Sequence, residues 1–295
     1  QLTSFLGSVW GNLTTAIEKS RNISSDELNR YLNEGLAMGQ ASNAIDYKLA
    51  DGLRYRYEVE NCVKEMAGQD VKGKLKTAGV DKIVSIKVKE KENKNKIAVL
   101  YAEGEIRDED SSSPFSADEQ VISEEMANKL RKLKDDDDVK AVVFRVNSPG
   151  GSAYISEQIW KEVVELKAKK PIVVSMGNYA ASGGYYISCA ANKIVAERTT
   201  LTGSIGVFGV VRNFTGTFDK VGVTTDVVKT NTFADLGDMS RPMREDEKAL
   251  IQRGVEQTYD LFLTRCADGR GMTKAEIDSI GQGRVWTGEQ ALERG

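Results

Sequence analysis

The feature that most constrains the fold is an alternation of short aliphatic runs with amphipathic segments between residues 97 and 197. The aliphatic runs are IAVLYAEGEI, VKAVVFRVNS, PIVVSM and KIVAE, which begin at Ile97, Val139, Pro171 and Lys193. Strands that are aliphatic nearly throughout and are separated by helices are typical of a parallel sheet covered on both faces. The sequence therefore predicts an α/β fold whose parallel-rich sheet is covered by helices.

Two turns rich in small residues follow neighbouring strands of this predicted sheet. The turn NSPGG contains Gly150 and Gly151, and the turn GNYAA leads into a helix start, SGG, which contains Ser182 and Gly183. Ligand chemistry in an α/β sheet gathers outside the carboxyl ends of the strands. Ser182 is a candidate nucleophile there, near free N–H groups and the positive end of a helix dipole. The N–H groups of Gly183 and of Gly150 or Gly151 are candidates for an oxyanion hole.

The general base is the open question, because the chain contains no histidine. A serine hydroxyl is a poor nucleophile until a base takes its proton, and histidine usually does so. Lysine is the obvious replacement. A free lysine has a pKa of about 10.4, so a catalytic lysine must be buried enough for its pKa to fall by several units.

Charge and cysteine usage exclude several other classes of function. The formal net charge of −3 provides no basic field for nucleic acid. Cys62, Cys189 and Cys266 are far apart and show no metal-ligand spacing. The acidic run Asp135–Asp138 reads as a solvated turn, since adjacent aspartates do not follow calcium-loop spacing. We therefore expect no metal and no cofactor, and the sequence has no apolar run long enough to span a membrane.

The chain also repeats part of itself. Several residues near the start match residues 249 positions later without a gap, and a shorter match follows. The pairs are Leu2/Ile251, Leu6/Val255, Trp10/Tyr259, Leu13/Phe262, Arg21/Arg270, Ser24/Thr273, Glu27/Glu276 and Leu28/Ile277, then Asp46/Glu289, Leu49/Leu292 and Gly52/Gly295. Two amphipathic helices can share such spacing by chance. The alternative is a tandem duplication, in which the chain begins at the tail of one unit and ends at the same tail of the next.

The duplication gives a domain hypothesis with three parts. Residues 1–70 are the helical tail of an upstream unit, starting with an amphipathic helix. Residues 71–96 are a linker with a short strand around residues 83–88, and residues 97–295 are the unit that carries the candidate nucleophile. Further elements expected in this last unit are a helix over 121–134, a helix and a strand within 213–230, and a long helix over Glu245–Cys266.

The motifs NSPGG, SMGNYAASGGYYIS and LTGSIGVFG resemble those of the signal peptide peptidase A family, also called protease IV. This resemblance implies a Ser–Lys protease with the repeated β-β-α spiral fold of the caseinolytic protease (ClpP) and crotonase group. By motif position, Ser182 corresponds to the nucleophile and Ser204 to the serine that orients the lysine base. Gly183, Gly150 and Gly151 correspond to the oxyanion region. The repeat points to the double-length form of the family.

One segment departs from the family pattern. Single-unit members carry the lysine in a pattern like IKSGxxKD, whereas this chain has VVKTNTFADL. Lys229 matches the first lysine of that pattern, and Ala234 stands at the catalytic position. In double-length members the first unit supplies the lysine. We therefore expect that this chain carries the nucleophile without its base, with Lys229 as the alternative base.

The resemblance also implies a biological setting. The expected function is a membrane-associated endopeptidase that degrades cleaved, apolar signal peptides at the periplasmic side of the bacterial inner membrane. The expected assembly is a tetramer of double-length chains, attached to the membrane through a segment absent from this chain. Two other functions remain open: a catalytically inactive scaffold half of the same assembly, and a crotonase-type acyl-CoA enzyme.

Overall fold

The computed structural model describes residues 2–34, 40–84, 94–107 and 120–295. The chain divides into two compact units. The larger comprises Gln1–Val9 and Lys94–Gly295, and the smaller comprises Trp10–Asn93.

Twelve helices lie in the described residues. They are α1 (Leu2–Arg21), α2 (Ser25–Asn33), α3 (Asn43–Asp46), α4 (Arg56–Met66), α5 (Val80–Val84), α6 (Glu125–Asp135), α7 (Ala153–Lys169), α8 (Gly183–Tyr186), α9 (Thr215–Val221), α10 (Glu245–Arg270), α11 (Lys274–Ile280) and α12 (Gly288–Leu292). The amphipathic helix predicted at the start of the chain is confirmed by α1.

Eight strands complete the described elements. They are β1 (Lys96–Glu103), β2 (Glu105–Ile106), β3 (Val121–Ile122), β4 (Val139–Ser148), β5 (Ile172–Ala181), β6 (Lys193–Val195), β7 (Leu201–Gly203) and β8 (Val285–Thr287). The main sheet has the order β1-β4-β5-β7-β8, and β6 also pairs with β5. Its pairings are parallel except that between β7 and β8. The predicted α/β fold with a parallel-rich sheet is confirmed.

The core lies where helices pack on alternate residues of the strands. In β4, Val142, Phe144 and Val146 are buried, and the residues between them are only half-buried. Apolar residues of α6 and α7, such as Leu130 and Ile159, complete this core. This alternation follows from the period of two along a strand, which sends successive side chains to opposite faces.

The edge strand β1 is less covered than the prediction of a sheet covered on both faces implies. In β1, Ile97, Val99 and Tyr101 are exposed, whereas Ala102 is buried. An edge strand has a single neighbouring strand, so helices that cover the sheet's centre need not reach its outer face.

Four local predictions need correction. The turn GNYAA continues β5, because Tyr179, Ala180 and Ala181 pair with β7. The helix expected from Val121 starts later, because Val121 and Ile122 form β3.

The segment TTDVVKT (residues 224–230) is not a strand, every residue in it is exposed, and no strand in the described residues pairs with it. In the linker, residues 80–84 form α5 rather than a strand, and residues 85–93 lie outside the described part of the chain.

The matched segments have the same local geometry. Helices α1 and α10 end at the matched residues Arg21 and Arg270, and each is followed by a residue in the left-handed conformation, Asn22 (φ 54°) and Gly271 (φ 68°). The helices that follow, α2 and α11, begin at matched positions as well. Many helices end at a residue with a positive φ. This similarity alone therefore does not distinguish a duplication from a chance likeness of two helix ends.

Side-chain contacts repeat more specifically. The Trp10 Nε1–H donates to Asn29 Oδ1 at 2.9 Å, and the Tyr259 hydroxyl donates to Asp278 Oδ1 at 2.7 Å. Asn29 and Asp278 are themselves 249 positions apart, as are Trp10 and Tyr259. Both α2 and α11 also start with a capping box, in which the cap and the third residue exchange hydrogen bonds.

Candidate active site

A cavity of 930 Å³ opens where three strands of the main sheet end. Ser148 ends β4, Ala181 ends β5 and Gly203 ends β7. The residues that follow these ends line the cavity together with parts of β2, α10 and the turn before β8. The lining residues are Glu105, Pro149, Gly150, Gly151, Ser182, Ser204, Gly206, Val207, Phe208, Gln252, Val255, Glu256, Tyr259, Gln282 and Gly283. The cavity lining thus includes the candidate residues Ser182, Ser204, Gly150 and Gly151, and Gly183 follows Ser182 directly.

Ser182 occupies a sharp bend between β5 and α8. Its backbone has φ 53° and ψ −120°, and its N–H donates to the Gly203 carbonyl at 2.9 Å. The Oγ has no hydrogen-bond partner among the described residues, so the hydroxyl is free to meet a ligand. The following helix is only one turn long, Gly183–Tyr186, so the dipole expected there is small. The bend, rather than a long helix, positions this serine.

The turn after β4 is pressed against the Ser182 bend. Gly150 has φ 102°, and a Cβ at this position would lie 2.8 Å from the Ser182 Cβ and 2.5 Å from the Gly183 nitrogen. A side chain is excluded there both by the backbone conformation and by the lack of space. The glycine therefore permits the close approach of the two turns.

The three glycines differ in what their N–H groups do. The Gly150 N–H donates to Ser148 Oγ at 3.1 Å, so it is already engaged. The N–H groups of Gly151 and Gly183 have no acceptor within the described part of the chain. Unpaired N–H groups beside a serine are the requirement for binding an oxyanion. Gly151 and Gly183 fit that role better than Gly150 does.

Ser204 follows β7 directly and also lines the cavity. Its φ is 49°, and its N–H donates to the Arg284 carbonyl at 2.7 Å. Next to it, Gly206 approaches Gly283 so closely that a Cβ would lie 2.6 Å from the Gly283 Cα. The turn before β8 therefore holds the loop that carries Ser204.

Lys229, the alternative base, lies outside the cavity. Its Nζ is 2.9 Å from Asp235 Oδ1, in a segment whose residues are mostly exposed. The Lys229 ammonium and the Arg241 guanidinium lower the pKa of the Asp235 carboxyl well below its ordinary value. The Lys229 Nζ is therefore engaged with Asp235 rather than with a residue of the cavity. The described residues lining the cavity include no lysine.

Two parts of the cavity were not found from sequence. Val255 and Tyr259 belong to α10, and Gln282 and Gly283 belong to the turn before β8. The only signal for the first pair was their place in the internal repeat. By contrast, Met176 and Tyr186, which are close to Ser182 in the sequence, are buried in the core.

Comparison with known proteins finds similarity to peptidases. Residues 164–295 match peptidase family S49, and residues 112–205 match the Clp protease family. Protease 4 of Haemophilus influenzae is 36% identical over 99% of this chain and 48% of its own length. A putative signal peptide peptidase SppA of Enterococcus faecium is 37% identical over 74% of this chain and 63% of its own length.

A solved structure of a ClpP1 mutant from Listeria monocytogenes aligns with a TM-score of 0.40 and 15% identity, over 68% of this chain and 86% of that one. This chain spans about half the length of the Protease 4 relative. Its fold is α/β and ClpP-like, as the Clp protease match indicates.

Proposed function

We propose that this chain supplies the nucleophilic serine of a Ser–Lys endopeptidase, because it is similar to Protease 4 and its residues 164–295 match peptidase family S49. One observation carries the proposal. Among the described residues, the hydroxyls of Ser182 and Ser204 and the N–H groups of Gly151 and Gly183 have no hydrogen-bond partner. Ser182, Ser204 and Gly151 line one cavity and Gly183 follows Ser182, in a chain that has no histidine.

In the proposed reaction, a neutral lysine removes the Ser182 Oγ proton while Oγ attacks a peptide carbonyl carbon. The carbonyl oxygen becomes an oxyanion and accepts hydrogen bonds from the Gly183 and Gly151 N–H groups. The lysine ammonium then gives its proton to the leaving amine as the peptide bond breaks. A water molecule, deprotonated by the same lysine, attacks the acyl-enzyme and releases the carboxylate product and the Ser182 hydroxyl.

The lysine is proposed to come from a unit outside this chain. The cavity lining in the described residues has no lysine, and Lys229 is engaged with Asp235. The Protease 4 relative is about twice as long, and the repeated contacts Trp10–Asn29 and Tyr259–Asp278 support a tandem duplication. A lysine arriving from a second unit would be buried in the closed site, which lowers its pKa toward neutrality.

This proposal gives the chain three parts: the tail of the upstream unit at 1–70, a linker at 71–96 and the serine-bearing unit at 97–295. The proposed substrates are cleaved signal peptides, in keeping with the name of the Enterococcus relative. Val207, Phe208 and Val255 give the cavity apolar walls that suit such peptides.

The proposed assembly is a tetramer of double-length chains on the periplasmic side of a bacterial inner membrane. Attachment would come from a segment outside this chain. Among the described residues, no helix has both the length and the apolar character needed to cross a membrane.

The test is to map a fluorophosphonate adduct by mass spectrometry, on this chain alone and on a protein of Protease 4 length that contains it. The proposal expects Ser182 to be labelled in the longer protein and far less in this chain alone. It also expects Ser182→Ala to abolish peptide hydrolysis, while Ser20→Ala, an exposed serine on α1, has no effect. Peptide hydrolysis that survives Ser182→Ala would exclude the assignment.

An inactive scaffold half is the second candidate, favoured by Ala234 at the family's lysine position. It predicts that the longer protein does not hydrolyse peptides and is not labelled at Ser182.

A crotonase-type enzyme would instead bind acyl-CoA thioesters and need no reactive serine. The same adduct experiment, with a thioester-binding assay beside it, separates the three.

A further inference from the structure

Strained backbone in the larger unit is concentrated at one place. Among its described residues, those other than glycine with a positive φ are Ser182 (53°), Ser204 (49°) and Gln282 (58°), and all three line the cavity. A non-glycine residue in this conformation costs free energy and persists only when its surroundings hold it there. Ser182 and Ser204 have proposed roles, whereas Gln282 has none. Its strained backbone conformation must therefore be stabilised by a neighbouring group.

The hydroxyl of Tyr259 stabilises the backbone conformation of Gln282. This hydroxyl accepts a hydrogen bond from the Gln282 N–H at 2.9 Å and donates one to Asp278 Oδ1 at 2.7 Å. Burial, and then the hydrogen bond to Asp278, raise the pKa of Tyr259 above its usual value, so the hydroxyl keeps its proton. A Cβ on Gly281 would lie 3.0 Å from the same hydroxyl, so the turn packs closely around it.

The turn of residues 281–284 in turn fixes the loop that carries Ser204. The Gly283 N–H donates to the Ile205 carbonyl at 2.8 Å, and the Ser204 N–H donates to the Arg284 carbonyl at 2.7 Å. The residue before Ser204, Gly203, accepts the Ser182 N–H at 2.9 Å. A continuous series of short hydrogen bonds thus runs from the Tyr259 hydroxyl to the backbone of both serines.

We propose that Tyr259 is a positioning residue for the two serines, acting through the turn of residues 281–284. This inference rests on the proposed peptidase function for its effect on catalysis. It goes beyond that function by assigning a role to a side chain on α10 that belongs to neither glycine turn. Displacement of a reacting group by about 1 Å can cost on the order of 100-fold in rate, so a loosened turn lowers kcat.

The internal repeat supplies a matched control. Trp10 and Asn29 make the same kind of contact as Tyr259 and Asp278, at matched positions, but the Trp10 indole has no oxygen to accept a hydrogen bond. Asp278→Leu and Asn29→Leu therefore remove equivalent acceptors, and Asp278 is the one that bonds to a residue lining the serine cavity. Asp278→Asn keeps an acceptor for the Tyr259 hydroxyl, as Asn29 provides one for Trp10.

The experiment measures kcat and KM of the longer peptidase and the hydrogen exchange of individual backbone amides. Tyr259→Phe and Asp278→Leu should lower kcat roughly 10- to 100-fold, with KM within about twofold. Both should speed exchange at Gln282, Gly283 and Ser204 while exchange in β4 stays unchanged, which separates a loosened turn from global unfolding. Asp278→Asn and Asn29→Leu should resemble the wild type.

Unchanged exchange at those three amides in Tyr259→Phe, or an unchanged kcat, overturns the proposal. So does an equal loss of kcat in Asn29→Leu, because that loss would reflect helix packing in general. A wild-type protein that hydrolyses no peptide refutes the proposed function instead. The exchange data still decide, in that case, whether Tyr259 holds the turn.

Discussion

The N–H of Ser182 donates a 2.9 Å hydrogen bond to the carbonyl of Gly203, the last residue of β7. This bond continues the β5–β7 pairing beyond the end of β5 and joins the candidate nucleophile to the residue before Ser204. The separation of the two serine backbones is therefore set by the pairing of β5 with β7. A site held by strand ends keeps its geometry better than one held by loops.

The first prediction concerns the close approach of the two glycine turns. Gly150→Ala should destabilise the protein by about 2 kcal/mol or more and abolish activity, because its Cβ would lie 2.8 Å from the Ser182 Cβ. Gly209→Ala is the control, since nothing lies within 4 Å of a Cβ there. Denaturant unfolding and peptide hydrolysis measure both effects. Normal activity in Gly150→Ala would mean that the turns are not held as described.

The second prediction concerns Lys229. Lys229→Ala should leave kcat nearly unchanged, because this lysine lies outside the cavity and pairs with Asp235. Asp235 keeps its contact with Arg241 at 2.7 Å, so the fold should persist. The measurement is steady-state hydrolysis beside Ser182→Ala. A comparable loss in the two variants would make Lys229 the base.

The third prediction concerns Ser204. Its Oγ has no partner among the described residues, so Ser204→Ala should change the free energy of unfolding by less than about 0.5 kcal/mol. If the hydroxyl orients the incoming lysine, kcat should nevertheless fall on the order of 100-fold. Thermal unfolding and hydrolysis are measured on the same preparation. A full kcat in Ser204→Ala would remove this residue from the proposed site.

The fourth prediction concerns acid stability. The Glu247 side chain is only 1% exposed and pairs with Arg241 and Arg244, and its pKa falls to about 2, mainly through the hydrogen bond from Arg241. A carboxyl whose pKa is lower in the folded than in the unfolded chain stabilises the fold. This stabilisation is fully present at pH values above the pKa of the unfolded chain, about 4.3. That contribution is lost as the pH falls toward 2.

Glu247→Gln should therefore be less stable than the wild type at pH 7. The difference in the free energy of unfolding between the two proteins should vanish as the pH falls from about 4 to about 2. Glutamine can still cap the start of α10, so the change isolates the charge. Glu245→Gln, whose side chain is 87% exposed, should show no such pH dependence. Denaturant unfolding at several pH values checks this, and a gap that is constant with pH would contradict the assigned cause.

Sequence reasoning was strongest where the pattern is periodic. The aliphatic runs at Ile97, Val139 and Pro171 became β1, β4 and β5, because burial on a sheet selects such residues. The strand prediction failed at TTDVVKT, whose β-branched residues favour a strand but which pairs with no strand in the described part of the chain. The turn prediction failed at GNYAA, where pairing with β7 extends β5 through residues that resemble a turn.

The sequence by itself determined the parallel-rich sheet, the two glycine turns and the absence of a histidine base. Each of these depends on residue type or on local periodicity, which a single chain segment displays. The tertiary structure decided which groups meet at the cavity. Tyr259 and Gln282 reach it through the packing of α10 and the antiparallel pairing of β7 with β8, whereas Lys229 lies outside it and pairs with Asp235. These are contacts between segments far apart along the chain, and local patterns do not specify them.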